Sequence, residues 1–243
     1  MSSSPAQILM GEYWVLISSA MVHTAGLHLA FNMYWLYTLG TPMEHAIGKI
    51  PFLIFSLTAA VTCSTIHMAF SDHPAIGASG VVYAYFGFMC ITRKKYSSFN
   101  LLDDRLIKFF IAWLFLCIVL TQFGIMNIAN GAHFGGVLFG LAVAGTFVLT
   151  KYRVLSTIGL NLLIAFCITV FVWCPWSNSW LWVKATQALK NENYELAFKY
   201  YTKFIYKNPQ SSEAYNNRSI AQYNLGKKKE AEDDMNMAKE LKP

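Results

Sequence analysis

The chain has 243 residues, of which 55% are hydrophobic and 13% are charged, and its mean hydropathy is +0.38. This composition excludes an ordinary soluble globular protein and predicts a chain that lies mostly in a lipid bilayer. The net charge of +6 does not point to nucleic acid, because much of the basic excess lies in loops between apolar segments and in Lys227, Lys228 and Lys229. We therefore expect the bilayer, and no nucleic acid, as a partner.

The first apolar segment, from Tyr13 to Leu39, is too long for one straight transmembrane helix. At 1.5 Å per residue it would measure about 40 Å, against a hydrocarbon core of about 30 Å. Gly26 is the predicted breakpoint, which leaves an extracellular or interfacial segment over residues 1–26 and a span from about Leu27 to Leu39. The further predicted spans are Pro51–Phe70, Ile76–Thr92, Leu106–Gln122, Gly131–Leu149 and Val154–Cys174.

Lysine and arginine are concentrated in alternate loops between these spans. They are Lys49, Arg93, Lys94, Lys95, Arg105, Lys108, Lys151 and Arg153. The loops at residues 71–74 and 123–130 contain neither residue type. By the positive-inside rule the first set of loops is cytoplasmic. The first, third and fifth spans therefore run from outside to inside, and their N-terminal ends share the outer face.

Polar side chains occur in the first turns of these three spans: His28 and Asn32, Ser79, and His133. Such groups are costly in hydrocarbon and usually mark a functional site. A serine hydroxyl becomes a strong nucleophile when a neighbouring base accepts its proton, so Ser79 and His133 predict acyl transfer. The Ser79 backbone N–H, the His28 ring and the Asn32 amide are candidate donors to the oxyanion of the intermediate.

Other chemistries find no support in the sequence. No acidic residue lies near either cluster, so we expect a Ser-His dyad without a third member. There is no His-Glu-x-x-His motif and there are no paired aspartates in the spans. The five cysteines lie in or at the ends of apolar spans, without disulfide or zinc spacing. We expect no metal and no cofactor.

Each candidate residue also has a purely structural reading. Ser79 is also a residue type that caps helix N-termini, and an intramembrane histidine such as His133 often donates an interhelical hydrogen bond. His28 and Asn32 also fit a polar pair at the start of a helix, and Tyr83 fits ordinary aromatic packing.

Taken together and in this order, the motifs resemble those of the rhomboid intramembrane serine proteases. The matching segments are His28-x-x-x-Asn32, Gly77-Ala78-Ser79-Gly80 followed by Val81-Val82-Tyr83-Ala84, and Ala132-His133-Phe134-Gly135-Gly136. The resemblance covers about Tyr13 to Leu149. It implies an all-α, polytopic membrane bundle that cleaves transmembrane proteins near the outer membrane face.

The resemblance also implies a role for each residue of the motifs. Ser79 would be the nucleophile and His133 the general base. His28 and Asn32 would stabilise the oxyanion together with Ser79. Supporting positions would be Gly77, Gly80, Tyr83 and Gly136, with Tyr83 packed against the His133 ring and small residues allowing close contact between the third and fifth spans.

Two departures from the family pattern stand out. Only residues 1–12 precede Trp14, so the first helix of the family has no counterpart in this sequence. Either the sequence is an N-terminal truncation, or it is a reduced variant with Val154–Cys174 as an added C-terminal span. The second departure is Val15, which stands where the family has the arginine of a Trp-Arg pair.

The last third of the chain has a different character. Charges become frequent after Trp176, and a period of 34 residues relates Tyr194, Ala197, Phe204 and Pro209 to Lys228, Ala231, Ala238 and Pro243. This period resembles tetratricopeptide repeats, which are stacked helical hairpins. The resemblance implies a protein or peptide ligand for these repeats, and by the alternation of spans they would lie outside.

The predicted organisation is an N-terminal segment over 1–26, a rhomboid-like transmembrane core over 27–150, a further transmembrane helix over 151–176, and two repeats over 177–243. The predicted location is a cell membrane, of bacterial type by the same resemblance. Two functions remain open: an intramembrane serine protease, or a catalytically impaired rhomboid-like protein that binds or escorts client proteins.

Overall fold

The computed structural model describes residues 4–242, and over these residues it contains helices and no strand. The N-terminal limit of the predicted 1–26 segment and the proposed match of Pro209 to Pro243 lie outside the described residues. The helices are α1 Pro5–Leu9, α2 Val15–Ser18, α3 Gly26–Ile47, α4 Lys49–Phe70, α5 Ser79–Thr92, α6 Asp104–Gln122, α7 Asn130–Phe147, α8 Arg153–Val172, α9 Asn178–Lys190, α10 Tyr194–Lys207, α11 Ser212–Asn224 and α12 Lys228–Glu240. The chain forms two compact units, of which Glu12–Val172 is the first.

The first unit is a bundle of apolar helices, as the composition predicts. Over the described residues, Lys49–Phe70 and Thr150–Val172 are each long and apolar enough to cross a membrane. Val15–Met21 and Gly26–Ile47 pass the same test as a pair, but the chain bends by 103° between them. The bend lies where the excess length of the first apolar segment predicts a break.

Helix α3 is longer than the sequence predicts. The predicted span ends near Leu39, whereas α3 continues through Pro42 to Ile47. The backbone turns at Gly48, which has a φ of +87° and whose N–H donates to the carbonyl of Glu44 at 2.8 Å. A positive φ of this kind favours glycine, so Gly48, and not the proline, ends the helix.

Helix α5 is short and central. Its 14 residues measure about 21 Å, which is less than the roughly 30 Å of the hydrocarbon core. Most of its side chains are buried, and its most extensive partner is α7. A short, enclosed helix leaves room for the preceding loop to enter the bundle, so that residue 79 begins below the membrane surface.

Buried hydroxyl groups attach the segment around α2 to the bundle. Ser64 Oγ donates to the carbonyl of Leu16 at 2.9 Å and lies 3.4 Å from Ser19 Oγ. Val15 is only 1% exposed. At this position the fold buries an aliphatic side chain, so the interfacial segment is held by packing and hydrogen bonds where the family pattern has an arginine.

The second unit contains Pro5–Gly11 and the chain from Trp173 onward. Residues 5–11 of the predicted 1–26 segment therefore group with the C-terminal helices. Helices α9 and α10 form one antiparallel hairpin and α11 and α12 another. Their starts, Asn178 and Ser212, are 34 residues apart.

The hairpins meet through small residues and one aromatic side chain. The fully or nearly fully buried positions include Ala185, Ala197, Tyr201, Ala214 and Ala221. Alanine allows two helices to approach closely, and these positions explain why the 34-residue period shows in the sequence. The period is thus realised as repeated hairpins, while their kinship to tetratricopeptide repeats stays a prediction.

Candidate active site

Ser79 and His133, which are 54 residues apart in the chain, meet at the heads of α5 and α7. Ser79 Oγ and His133 Nε2 are 2.8 Å apart, a distance typical of a hydrogen bond. Ser79 is the first residue of α5 and His133 lies in the first turn of α7. His133 is 4% exposed, whereas Ser79 is partly accessible.

Glycine positions allow this approach. A Cβ at Gly136 would overlap the carbonyl oxygen of Gly80, and a Cβ at Gly140 would overlap that of Ala84. A Cβ at Gly80 would lie 2.9 Å from Cys63 Cβ and 3.2 Å from the carbonyl oxygen of Ala132. The helices α5 and α7 are therefore in backbone contact, which only small residues permit.

His28 and Asn32 lie next to the loop that leads into Ser79. A Cβ at Gly77 would be 2.9 Å from His28 Nε2 and 3.4 Å from Asn32 Nδ2. Gly77 also has a φ of +95°, so both the conformation and the space favour glycine. The absent side chain leaves a small space beside the chain, two residues before the serine, which two side-chain nitrogens face.

The position of Asn32 is well defined. Its side chain is 2% exposed, and Nδ2 donates to the carbonyl of His28 at 2.9 Å. An amide nitrogen has two hydrogens, so a second donor remains for another acceptor. His28 is partly exposed, and its ring makes an edge contact with the ring of His23 at 5.0 Å.

Tyr83 packs against the histidine. The ring centroids of Tyr83 and His133 are 4.7 Å apart, and the planes are inclined by 36°. The Tyr83 hydroxyl donates to the carbonyl of Phe110 in α6 at 3.3 Å. Tyr83 is one turn beyond Ser79 on α5, so the same helix presents the hydroxyl and supports the imidazole.

No carboxylate orients the imidazole among the described residues. His133 Nδ1 is buried and has no hydrogen-bond partner among them. With Nε2 engaged by Ser79, the orientation of the ring rests on Tyr83 and on the close contact of α7 with α5. Among residues 4–242 there is also no cluster of histidine, cysteine or acidic side chains suited to a metal ion.

Sequence reasoning missed several residues that support the site. The backbone N–H of Gly77 donates to the carbonyl of Ser19 at 3.1 Å, which ties the loop before Ser79 to the segment after α2. A Cβ at Gly131 would lie 3.2 Å from His67 Nδ1, so this buried histidine packs against the head of α7. The signal available was the presence of Ser64 and His67 in an apolar helix, where polar groups need partners.

The arrangement has the parts that acyl transfer needs: a hydroxyl beside an imidazole, and nitrogen donors close to the same loop. The imidazole can accept the proton of the serine. The glycine-lined space beside residue 77 lies where donors are needed for a developing oxyanion.

Comparisons with known proteins agree with this arrangement. The profile of the family described as "Rhomboid domain" matches residues 10–150. The chain is 31% identical over 147 residues to the rhomboid protease GluP of Bacillus subtilis (strain 168), an alignment that covers 59% of this chain and 28% of that protein. It is 32% identical over 136 residues to the rhomboid protease GlpG of Yersinia pseudotuberculosis serotype I (strain IP32953), covering 55% of this chain and 48% of that protein. The chain therefore spans less than half the length of these relatives.

Proposed function

Since the chain belongs to the rhomboid family, a multi-pass membrane family whose relatives here are named as proteases, we propose that it is a serine endopeptidase that cleaves transmembrane proteins near the outer membrane face. Ser79 is the nucleophile and His133 is the general base. The 2.8 Å contact between Ser79 Oγ and His133 Nε2 is the observation that carries this assignment.

Acylation begins when Ser79 Oγ attacks the carbonyl carbon of the scissile peptide bond and His133 Nε2 accepts the hydroxyl proton. The carbonyl oxygen becomes an oxyanion, and the Ser79 N–H, His28 and Asn32 donate to it. His133 then returns the proton to the leaving amine, and the carbon–nitrogen bond breaks. An acyl-enzyme on Ser79 and a free amine result.

Deacylation repeats these steps with water. His133 accepts a proton from the water as its oxygen attacks the ester carbon, and the same donors stabilise the second oxyanion. His133 then protonates Ser79 Oγ, which leaves as the free hydroxyl together with a new carboxylate. The buried position of His133 favours this chemistry, because electrostatic interactions are stronger where bulk water is excluded.

The glycines support the site by what they lack. Gly77 keeps the space in front of His28 and Asn32 free, while Gly80 and Gly136 permit the helix contact that joins Ser79 to His133. The close ring contact of Tyr83 limits rotation of the imidazole.

The C-terminal hairpins are proposed to be tetratricopeptide-like and to bind a protein or peptide, on the outer side of the membrane. The 34-residue spacing of the helix starts and the buried alanines at equivalent positions support this assignment. A bound partner there could deliver transmembrane substrates to the dyad.

The alternative is a catalytically impaired member that binds or escorts client proteins. The replacement of the family arginine by Val15, which is buried, favours it. The geometry of Ser79 and His133 favours the protease.

A serine-reactive fluorophosphonate probe separates the two functions. We expect the folded protein in proteoliposomes to be labelled, and labelling to be lost in Ser79→Ala and His133→Ala. The matched control is Ser97→Ala, an exposed serine in a loop, which should label like the parent. Equal labelling of Ser79→Ala and the parent would refute the assignment of the nucleophile. A folded parent that does not label would favour the escort function.

A further inference from the structure

A long groove runs through the first unit between α4, α7 and α8. Its volume is about 840 Å³. On α4 it extends from Pro51 to Thr65, which is about 21 Å at 1.5 Å per residue. The groove therefore follows most of the thickness of the hydrocarbon core, which is about 30 Å.

The wall of the groove offers no free hydrogen-bonding group on its threonines. Thr58 Oγ1 donates to the carbonyl of Ile54 at 2.7 Å, Thr62 Oγ1 to that of Thr58 at 2.8 Å, and Thr65 Oγ1 to that of Val61 at 2.8 Å. The other lining residues are mostly aliphatic or aromatic. The chemistry of the wall suits a hydrocarbon occupant.

The width of the groove favours flexible chains over a helix. Its volume divided by its length gives a mean cross-section of about 40 Å², whereas an α-helix with side chains, about 10 Å wide, needs roughly 80 Å². A hydrocarbon chain has no side groups and adapts to an irregular wall. The acyl chains of a lipid therefore fit this space better than a transmembrane helix does.

One end of the groove carries uncompensated positive charge. Lys95 Nζ donates to the carbonyl of the lining residue Val148 at 2.9 Å. Lys49 precedes the lining residue Pro51 by two positions, and Lys151 and Arg153 follow Val148 closely. All four side chains belong to exposed residues.

Other cations of the same loops have a carboxylate nearby. Arg93 pairs with Asp104 at 2.8 Å, and Lys94 and Lys108 lie within electrostatic range of the same carboxylate. For Lys49, Lys95, Lys151 and Arg153, no salt bridge occurs among the described residues. The acidic side chain nearest in sequence to the groove is Glu44, three residues before the lining residue Ile47. The groove end therefore keeps an excess of positive charge that an anionic group would complement.

We propose that this groove is a binding site for an anionic glycerophospholipid. The acyl chains lie along α4, α7 and α8, and the phosphate-bearing head group lies among Lys49, Lys95, Lys151 and Arg153. Basic clusters between transmembrane helices are known to recognise acidic lipid head groups. The site is independent of Ser79 and His133, so it stands whether or not the protein is a protease.

Native mass spectrometry of the purified full chain in detergent tests the head-group site. Phosphatidylglycerol and phosphatidylcholine with identical acyl chains are titrated separately. Lys49→Gln with Arg153→Gln should weaken phosphatidylglycerol binding roughly 25-fold, about fivefold for each cation, and leave phosphatidylcholine binding unchanged. The charge-swapped pair Lys49→Arg with Arg153→Lys should bind like the parent, which guards against misfolding. The matched control is Lys94→Gln with Lys108→Gln, which should also bind like the parent.

A substitution in the wall tests the hydrocarbon part. Thr58→Trp places an indole in the groove from an exposed position, and it should weaken binding of both lipids at least tenfold. Leu53→Trp, on α4 but outside the groove, is its control and should have no effect. The site is refuted if the parent binds the two lipids equally, if the Lys94 and Lys108 pair loses as much affinity as the Lys49 and Arg153 pair, or if Thr58→Trp binds like the parent.

Discussion

Gly140→Ala tests whether backbone contact between α5 and α7 sets the distance between the serine and the histidine. Gly140 lies two turns beyond His133 on the same face of α7. An added methyl group would overlap the carbonyl oxygen of Ala84 and would lie 2.7 Å from the backbone nitrogen of Phe88. Neither atom is the end of a flexible side chain, so the helices themselves must separate.

The size of the effect follows from the contact distance. Non-bonded atoms of this kind need about 3.5 Å, so α7 would have to retreat by roughly 0.8 Å. If the movement reaches the head of the helix, the 2.8 Å between Ser79 Oγ and His133 Nε2 becomes about 3.6 Å, which is no longer a hydrogen bond. Proton transfer by a positioned base contributes roughly 10²- to 10⁴-fold. We expect a loss of at least about 100-fold in the rate of cleavage.

Stability should fall much less than activity. Overpacking of a helix contact costs about 1 to 3 kcal/mol, while native proteins have about 5 to 15 kcal/mol. Gly140→Ala should therefore remain folded, with a lower unfolding midpoint. The assay is cleavage of a transmembrane substrate in proteoliposomes, together with thermal unfolding of the same sample.

Gly159→Ala is the matched control, because a Cβ at Gly159 in α8 would have no neighbour within 4 Å. This variant should cleave and unfold like the parent. If Gly140→Ala cleaves at the parental rate although its unfolding midpoint is lowered, the two helices can separate without moving the pair. The link between the glycine contact and the site geometry would then be wrong.

Three further outcomes follow from the structure. Asn32→Ala removes one donor near the oxyanion and should lower kcat roughly 10²- to 10³-fold, and a change below threefold in the cleavage assay would exclude that role. Arg218→Ala leaves the buried carboxylate of Asp234 without its partner, after contacts of 2.6 and 2.7 Å, and should destabilise the C-terminal helices by about 3 to 5 kcal/mol. Urea unfolding followed by proteolysis measures this, and leucine at both positions should recover much of the loss. Burial raises the pKa of Tyr201 above its usual 10.0, so the folded state keeps a proton that the unfolded state releases. The contribution of this tyrosine is present below about pH 10 and is lost as the pH rises through the folded pKa. Thermal unfolding at high pH should therefore be less pH-dependent in Tyr201→Phe, and an unchanged pH dependence would contradict this.

Much of the fold follows from local sequence patterns. The apolar lengths predict the bundle helices, and the excess length from Tyr13 to Leu39 predicts a break where the chain bends by 103°. The 34-residue period predicts hairpins, and helices begin at Asn178 and Ser212. These features depend on neighbours within one helix or one repeat, which is the range over which composition and periodicity act.

Part of the site could also be predicted from the sequence. Ser79 and His133 follow from charge bias and from their positions at the heads of like-directed helices, and the structure brings them to 2.8 Å. The end of α3 could not be predicted, because a proline-containing segment indicates a helix end locally, whereas packing carries this helix through Pro42 to Ile47.

What only the tertiary structure decided are contacts between segments far apart in the chain. The tie from Gly77 to the Ser19 carbonyl, the packing of Tyr83 on His133 and the burial of Val15 have no local pattern. The groove between α4, α7 and α8 is of the same kind, since it is a space between helices and not a property of any one of them. The sequence specified which helices form and which ends carry polar groups, because these depend on residues close in the chain. Backbone contact between particular helices selected the partners, because such contact depends on which surfaces fit once all the helices are present.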